Sequence, residues 1–269
     1  MENIKRSKLV VLDNRIVDSI CPLKITEKRV LYLLLSKISN GYRKSLSKKE
    51  IFSDKNIAPE DVIIGKRVEG EVLSSEYWYR LSVREFSEVT QVRLDNARTE
   101  LQDVVESLRT KYVKIDYGSG MGYVKVNWVS AIMFDVKDDC IGIKWNTDIL
   151  PFICDLEEYF VKLKLQELLL LKSTYSWKLH EVLKLLRGMQ DFNKAVVIPV
   201  DELKRLLNVP DGFQAYKYFK SKVLTPAVKE LNNKKVYTQL IFREIKSGKS
   251  VVRLEWSWLT IKEIEKRVL

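Results

Sequence analysis

The residue types that most often carry covalent chemistry are few in this chain and lie far apart. Among 269 residues there is one histidine, His180, and there are three cysteines, Cys21, Cys140 and Cys154. A zinc site needs four ligands, usually in close Cys or His pairs, and nucleophilic catalysis needs a base within reach of the nucleophile. The spacing supplies neither arrangement, so we predict no metal site, no cofactor and no catalytic residue. We expect His180 to pack on a helix face near Trp177.

Two other motifs contain only part of the pattern that an active site needs. Asp138-Asp139 and Glu157-Glu158 are adjacent carboxylates, which are more often solvated charges than a paired acid and base. Gly248-Lys249-Ser250 matches the end of a phosphate-binding loop, but Arg243 occupies the position of the leading glycine. The sequence therefore favours a protein that is not an enzyme.

Composition also bears on location. The cysteines are odd in number and have apolar neighbours, which indicates buried free thiols in a reducing cytoplasm. No apolar core follows Lys5-Arg6 as it would in a secretory signal, and the leucine run at 168–171 is far too short to span a bilayer. We expect a cytoplasmic protein that does not contact a membrane.

Net charge is the first feature that indicates a partner. The chain carries +11 at neutral pH. Residues 1–150 contain 25 Lys and Arg against 22 Asp and Glu, whereas residues 151–269 contain 22 against 14. Because each phosphate contact releases condensed counterions, this imbalance favours binding to a polyanion, with the stronger field in the carboxyl-terminal half. A lysine-rich solvated surface has the same composition, so local patterns must separate the two interpretations.

Side chains suited to contacting duplex DNA lie on two predicted helices and one predicted hairpin, where polar groups recur with helical spacing or gather at a tip. On the later helix and its borders they are Gln214, Lys217, Tyr218, Lys220, Ser221 and Lys222. The hairpin adds Lys246 and Lys249, and the earlier helix adds Gln91, Arg93, Asn96 and Arg98. We expect Trp128, Trp145, Trp177, Trp256 and Trp258 to fill cores rather than to stack on bases.

The first half of the chain contains the elements that would position the earlier helix. Apolar periodicity predicts a helix over 27–40, a short helix over 83–88 and a long helix over 91–110. Ser82 and Glu85 have capping-box spacing at the start of the short helix. The long helix has an apolar face of Leu94, Ala97, Leu101, Val104, Val105 and Leu108. Predicted strands cover 77–81, 112–115, 123–129, 131–136 and 140–145, and residues 42–75 form an insertion whose role the pattern does not indicate.

The second half repeats this order of elements. We predict helices over 175–187, 201–207 and 213–232 and strands over 195–199, 236–245 and 250–256. Pro226 lies within the long helix and should kink it without ending it. Helix, short helix, turn, long helix and hairpin is the winged-helix order. The predicted fold class is therefore α+β, with two tandem winged-helix domains, 1–150 and 151–269, each built of a helical core and a β-hairpin wing.

At several of these elements the chain resembles the replication initiators of iteron-containing plasmids. The resemblance covers almost the whole chain apart from 42–75 and the last dozen residues. The matching segments include Tyr79-Arg80-Leu81-Ser82, Val126-Asn127-Trp128-Val129-Ser130, Tyr175-Ser176-Trp177-Lys178-Leu179 and, most specific, Phe219-Lys220-Ser221-Lys222-Val223-Leu224 through Pro226-Ala227-Val228-Lys229-Glu230-Leu231-Asn232. His180 stands where that family commonly has Tyr, and the family tolerates a proline at the position of Pro226.

The resemblance implies a bacterial protein that binds iterons as a monomer through both winged helices, with the carboxyl-terminal one as the main contact. It implies a homodimer, formed through the amino-terminal domain, that binds an operator and represses the initiator's own gene, and chaperones that convert dimer to monomer. It also implies melting of adjacent AT-rich DNA and recruitment of the host initiator and the replicative helicase.

Two other functions remain open at this point. A tandem winged-helix transcription regulator would only bind an operator, and one inverted repeat rather than spaced direct repeats would indicate it. A nicking relaxase would need a metal-binding histidine cluster near a nucleophilic tyrosine, which a single histidine does not supply.

Overall fold

The computed structural model describes residues 8–19, 21–42, 78–116, 122–153, 156, 159–189 and 195–258. Residues 43–75 of the predicted insertion, Tyr77 of the predicted strand, Cys154 and Glu157-Glu158 lie outside this part of the chain. The chain forms two compact units, Met1–Leu169 and Leu170–Leu269. The sequence prediction placed this division at residue 150. Strand pairing moves 151–169 into the first unit, as described next.

The first unit joins two segments that are far apart in sequence. Strand β1 (Leu9–Asp13), which is followed by α1 (Asn14–Asp18), pairs antiparallel with β7 (Phe160–Lys164). Helix α5 (Leu165–Leu169) follows β7. Because β7 completes its hydrogen bonds with β1, it belongs to the first unit.

A winged helix forms the body of the first unit. Its helices are α2 (Ile25–Tyr42), α3 (Val83–Thr90) and α4 (Leu94–Leu108). Ser82 accepts a hydrogen bond from the Glu85 backbone N–H at 3.0 Å, as a capping residue should, but the Glu85 carboxylate pairs with Lys37 at 2.7 Å. Of the predicted apolar face of α4, all but Leu94 are buried; Leu94 is 50% exposed because it begins the helix.

Three strands complete this winged helix, in the order β2 (Tyr79–Ser82), β6 (Cys140–Trp145), β5 (Val129–Asp135). The wing is therefore the β5–β6 hairpin. A separate hairpin of β3 (Tyr112–Asp116) and β4 (Tyr123–Asn127) is inserted between α4 and β5. A 3-10 helix, Thr147–Phe152, leads on from β6.

The second unit is a more compact version of the same plan. Helix α6 (Thr174–Met189) is followed by β8 (Val196–Pro199), α7 (Val200–Leu206) and a 3-10 turn, Asp211–Phe213. Helix α8 (216–233) precedes the wing, which consists of β9 (Ile241–Ser247) and β10 (Ser250–Ser257) in a sheet of order β8-β10-β9. Strand β9 begins at Ile241, later than predicted, because 234–239 forms turns.

Helix α8 passes Pro226 without a break. It consists of Tyr216–Tyr218, a π-helical segment Phe219–Leu224, and an α-helical segment Thr225–Asn233. Pro226 lies in the first turn of the last segment, where a missing N–H is tolerated. The widened π turn precedes the proline and absorbs the change in hydrogen bonding. The prediction that this helix continues is therefore confirmed.

The cores contain the aromatic residues that the sequence places there. Trp128, Trp145, Trp177 and Trp256 are buried, and Trp258 is half-buried. His180 is fully buried, with Nδ1 3.1 Å from the Tyr237 hydroxyl. Of the cysteines, Cys140 is buried as predicted, but Cys21 is only half-buried, with its Sγ accepting a hydrogen bond from the indole of Trp128 at 3.3 Å.

Within the described residues, no helix is long and apolar enough to cross a membrane. The same part of the chain contains no group of three or more His, Cys, Asp or Glu side chains placed to hold a metal ion.

Candidate nucleic-acid interface

The exposed side of α8 carries five of the eight contacts that were predicted for the second unit. Phe219 and Val223 are buried and fix which side of the helix faces the core. Lys217, Tyr218, Lys220, Ser221 and Lys222 are all exposed. No ion pair joins Lys217 or Lys222 to a carboxylate in the described ranges. Two unneutralised ammonium groups and a half-exposed tyrosine therefore lie together on this side of the helix.

The sequence predicted that Gln214 lies on the long helix, but in the structure it precedes α8. It follows the 3-10 turn, and Ala215 caps α8. The Gln214 side chain donates a hydrogen bond to the Val209 carbonyl at 2.7 Å, because the turn before the helix leaves that oxygen unpaired by secondary structure. Gln214 is nevertheless exposed beside the amino-terminal end of α8.

Lys220 differs from its neighbours because it has a carboxylate partner. Its Nζ donates to Glu244 Oε1 at 2.7 Å, and the Tyr216 hydroxyl donates to the same oxygen at 2.8 Å. The hydrogen bonds from Lys220 and Tyr216 hold the pKa of Glu244 below its ordinary value. Burial, followed by the hydrogen bond to Glu244, raises the pKa of Tyr216. This three-residue cluster joins α8 to the wing strand β9.

The wing of the second unit presents a basic tip. Lys246 and Lys249 are exposed on either side of Ser247-Gly248. Gly248 has a φ of +59°, a left-handed conformation that glycine adopts at little cost in a tight hairpin. The tip is therefore a short, well-defined turn flanked by two lysines.

Sequence patterns did not single out two charged groups on this wing. Arg253 is exposed on β10 and has no ion pair within the described residues. Glu244 was also missed. Strand alternation could have found it, because it shares a sheet face with Phe242, whose cross-strand neighbour Trp256 is buried.

The candidates in the first unit are less accessible as cations. Asn96 and Arg98 lie on α4, but Gln91 is the left-handed carboxyl-terminal cap of α3 and Arg93 is the amino-terminal cap of α4. Gln91 and Arg93 thus occupy the turn between the two helices rather than the face of the long one. Arg98 Nε donates to Asp139 Oδ1 at 2.9 Å, at the tip of the first wing.

Both carboxylates at that tip are paired. Arg80 contacts Asp138 at 3.1 Å, and Asp138 stays exposed to solvent, as predicted. Two acidic residues and their arginine partners nearly cancel in charge. Arg80 and Arg98 therefore offer little net positive charge to a polyanion at the first wing.

The structural division also sharpens the charge difference. Residues 1–169 contain 27 Lys and Arg against 26 Asp and Glu, whereas 170–269 contain 20 against 10. Nearly all of the net positive charge lies in the second unit.

Two family models match the chain. The model described as initiator replication protein, WH1, matches residues 63–184, and the one described as initiator Rep protein, WH2, matches residues 199–258. Together they take in more than half of the sequence. The chain belongs to the Rep family of plasmid replication initiators. The predicted family and the predicted α+β fold with two winged-helix domains are thus confirmed.

Individual relatives agree with this assignment. The Rep chain is 24% identical over 149 residues to a replication initiation protein of Escherichia coli, a match that includes 55% of this chain and 46% of that protein. The match thus spans about half the length of that relative. The crystal structure of the Pi initiator protein in complex with iteron DNA has the same fold, with a TM-score of 0.68 and 18% identity over 95% of this chain and 98% of the other.

Proposed function

We propose that this Rep chain initiates plasmid replication by binding duplex DNA with repeated origin sequences, mainly through its second unit. The observation that carries the proposal is a set of exposed lysines, Lys217, Lys222 and Lys249, that have no carboxylate partner among the described residues. They lie in a unit with twice as many basic as acidic residues. Membership of the Rep family supports it, as does the shared fold of the Pi initiator, whose crystal structure contains iteron DNA.

In this proposal α8 lies with its amino-terminal turns in the major groove. Gln214, Lys217, Tyr218 and Ser221 then face base edges or nearby phosphates, and Lys222 borders them. Lys246 and Lys249 contact the flanking backbone, as a wing does in other winged helices. We add Arg253 to these candidates, since it is exposed on the same wing.

The first unit makes a weaker contact. Asn96 on α4 and Gln91 and Arg93 in the preceding turn are exposed and supply this contact. Arg98 is held by Asp139, so it contributes less to sequence-independent attraction. We assign to this unit, in addition, the homodimer that binds an operator and represses the initiator's own gene.

Later steps follow from binding. Melting of adjacent AT-rich DNA, recruitment of the host initiator and the replicative helicase, and conversion of dimer to monomer by chaperones belong to the same proposal. Family membership is their support.

Footprinting with the purified chain on the DNA that flanks its own gene tests the proposal. Protection of several direct repeats spaced near one helical turn, with half-maximal binding well below that for shuffled duplex, is the expected result. Protection of a single inverted repeat and nothing else would indicate an operator-binding regulator instead. A covalent protein–DNA adduct in a denaturing gel would indicate a nicking enzyme.

A further inference from the structure

One carboxylate lies among the basic groups of the proposed DNA face. Glu244 is on β9, directly before the lysine-bearing tip, and its Oε1 accepts hydrogen bonds from both Lys220 and Tyr216 of α8. An acidic group in a surface that binds phosphate repels the ligand and so lowers the affinity. The geometry of Glu244 indicates what role this carboxylate has.

The sheet directs Glu244 toward the helix rather than toward solvent. Cross-strand partners point to the same side of a sheet, and the partner of Glu244 is Leu254, which is fully buried. The Glu244 side chain is 23% exposed, whereas that of Lys220 is 46% exposed. The Lys220 ammonium group is thus tied to the wing strand through a carboxylate that is itself mostly covered.

The neighbouring lysines provide the contrast. Lys217 and Lys222 come from the same helix and are exposed, yet the structure gives them no carboxylate partner within the described ranges. The first unit repeats the device, because Arg98 of α4 pairs with Asp139 of its wing. In both units, therefore, one cation of the long helix is held by an acid of the wing.

We infer that Glu244 is a positioning residue that determines specificity, by holding Lys220 away from the phosphates of DNA of any sequence. The inference rests on the proposed function. An exposed ion pair of this kind adds little to stability, so its main consequence is for the charge that the face presents. Sequence-independent affinity grows with each lysine that neutralises a phosphate. Removing one such lysine leaves a larger share of the affinity to base contacts, and the carboxylate itself repels a poorly fitted backbone.

The test compares the full chain with Glu244→Gln in fluorescence anisotropy. Two duplexes are used, one bearing the repeats beside the gene and one of equal length with shuffled sequence, over about 50 to 200 mM salt. Gln keeps an acceptor for Tyr216 but loses the charge that holds Lys220. We expect the salt slope for shuffled duplex to steepen by about 0.9, as for one added phosphate contact, and its affinity to rise several-fold at low salt. The ratio of repeat to shuffled affinity should fall.

Glu202→Gln is the charge-matched control. Glu202 pairs with Arg205 within α7 at 2.6 Å, so the variant makes the same change in net charge without releasing Lys220. It should alter the slope by clearly less than Glu244→Gln does. Equal effects of the two variants would show that only net charge matters and would overturn the inference.

Lys220→Gln, made in the native chain, tests the same point without relying on the fold of the Glu244 variant. Made in the Glu244→Gln chain, it gives a second comparison. In the native chain it should reduce the slope by clearly less than Lys217→Gln, whereas in the Glu244→Gln chain it should reduce the slope by about 0.9. Equal slopes for Lys220→Gln and Lys217→Gln in the native chain would overturn the inference while leaving the proposed function intact. A native chain that binds neither duplex would overturn both.

Discussion

Arg98 Nε donates to Asp139 Oδ1 at 2.9 Å and so ties the long helix of the first unit to the tip of its wing. The hydrogen bond to Asp139 raises the pKa of the already basic Arg98, so the guanidinium keeps its positive charge. The corresponding wing of the second unit carries Lys246 and Lys249 instead. The two winged helices therefore share a fold but present different charge to DNA.

Arg98→Gln should have a small effect on DNA binding. Asp139 already neutralises this arginine, so the arginine contributes little to counterion release when the native chain binds DNA. Its loss should therefore change the salt slope little. We expect the salt slope for repeat-bearing duplex to fall by clearly less than it does for Lys217→Gln, measured by anisotropy under the same conditions. A drop as large as that of Lys217→Gln would place Arg98 directly on phosphate.

Lys217→Gln and Lys249→Gln should each weaken binding and reduce the salt slope by about 0.9. Both lysines are exposed and, in the described residues, have no carboxylate partner. Lys234→Gln is the matched control, because Lys234 is exposed just past the far end of α8. Unchanged slopes for both test variants would mean that the DNA face lies elsewhere.

The Glu244 carboxyl should titrate below its ordinary pKa of 4.5, because Lys220 and Tyr216 donate hydrogen bonds to it. A lowered folded-state pKa means that the cluster stabilises the protein above the unfolded-state pKa and loses that contribution as pH falls through the lowered value. Carboxyl NMR titration should show this pKa in the native chain and a rise toward 4.5 in Lys220→Gln. A native pKa at or above 4.5 would contradict the hydrogen-bonded geometry.

Tyr237→Phe should destabilise the second unit without altering the DNA face. Its hydroxyl lies 3.1 Å from His180 Nδ1 in the buried core, and removing one partner of a buried hydrogen bond costs about 1–3 kcal/mol. Denaturant unfolding should show this loss, while the salt slope of DNA binding stays at its native value. A variant as stable as the native chain would show that this hydrogen bond contributes nothing.

Local patterns in the sequence were sufficient to predict most of the elements. The apolar spacing of α4 and α6 and the capping position of Ser82 correspond to the structure within a few residues. These signals are local, since each arises within one turn of helix or one strand. Pro226 was the one local conflict, and a π-helical segment resolves it.

Relationships over long sequence distances could not be predicted in this way. The pairing of β1 with β7 joins segments at opposite ends of the first unit. Because of this pairing, the boundary between the units lies after residue 169 and not after residue 150 as predicted. The Lys220–Glu244 and Arg98–Asp139 pairs likewise depend on which strand face lies over which helix. Candidate cations can be selected from the sequence, but which of them are already neutralised is decided by tertiary packing.

Binding of the purified chain to duplex with and without the repeats beside its gene, followed over a range of salt, is the most direct measurement. We expect tight binding to the repeat duplex, weaker binding to shuffled duplex, and a salt slope that falls when Lys217 or Lys249 is neutralised. Equal affinity for both duplexes, or no binding at moderate salt, would contradict a sequence-specific grip on DNA by the basic second unit.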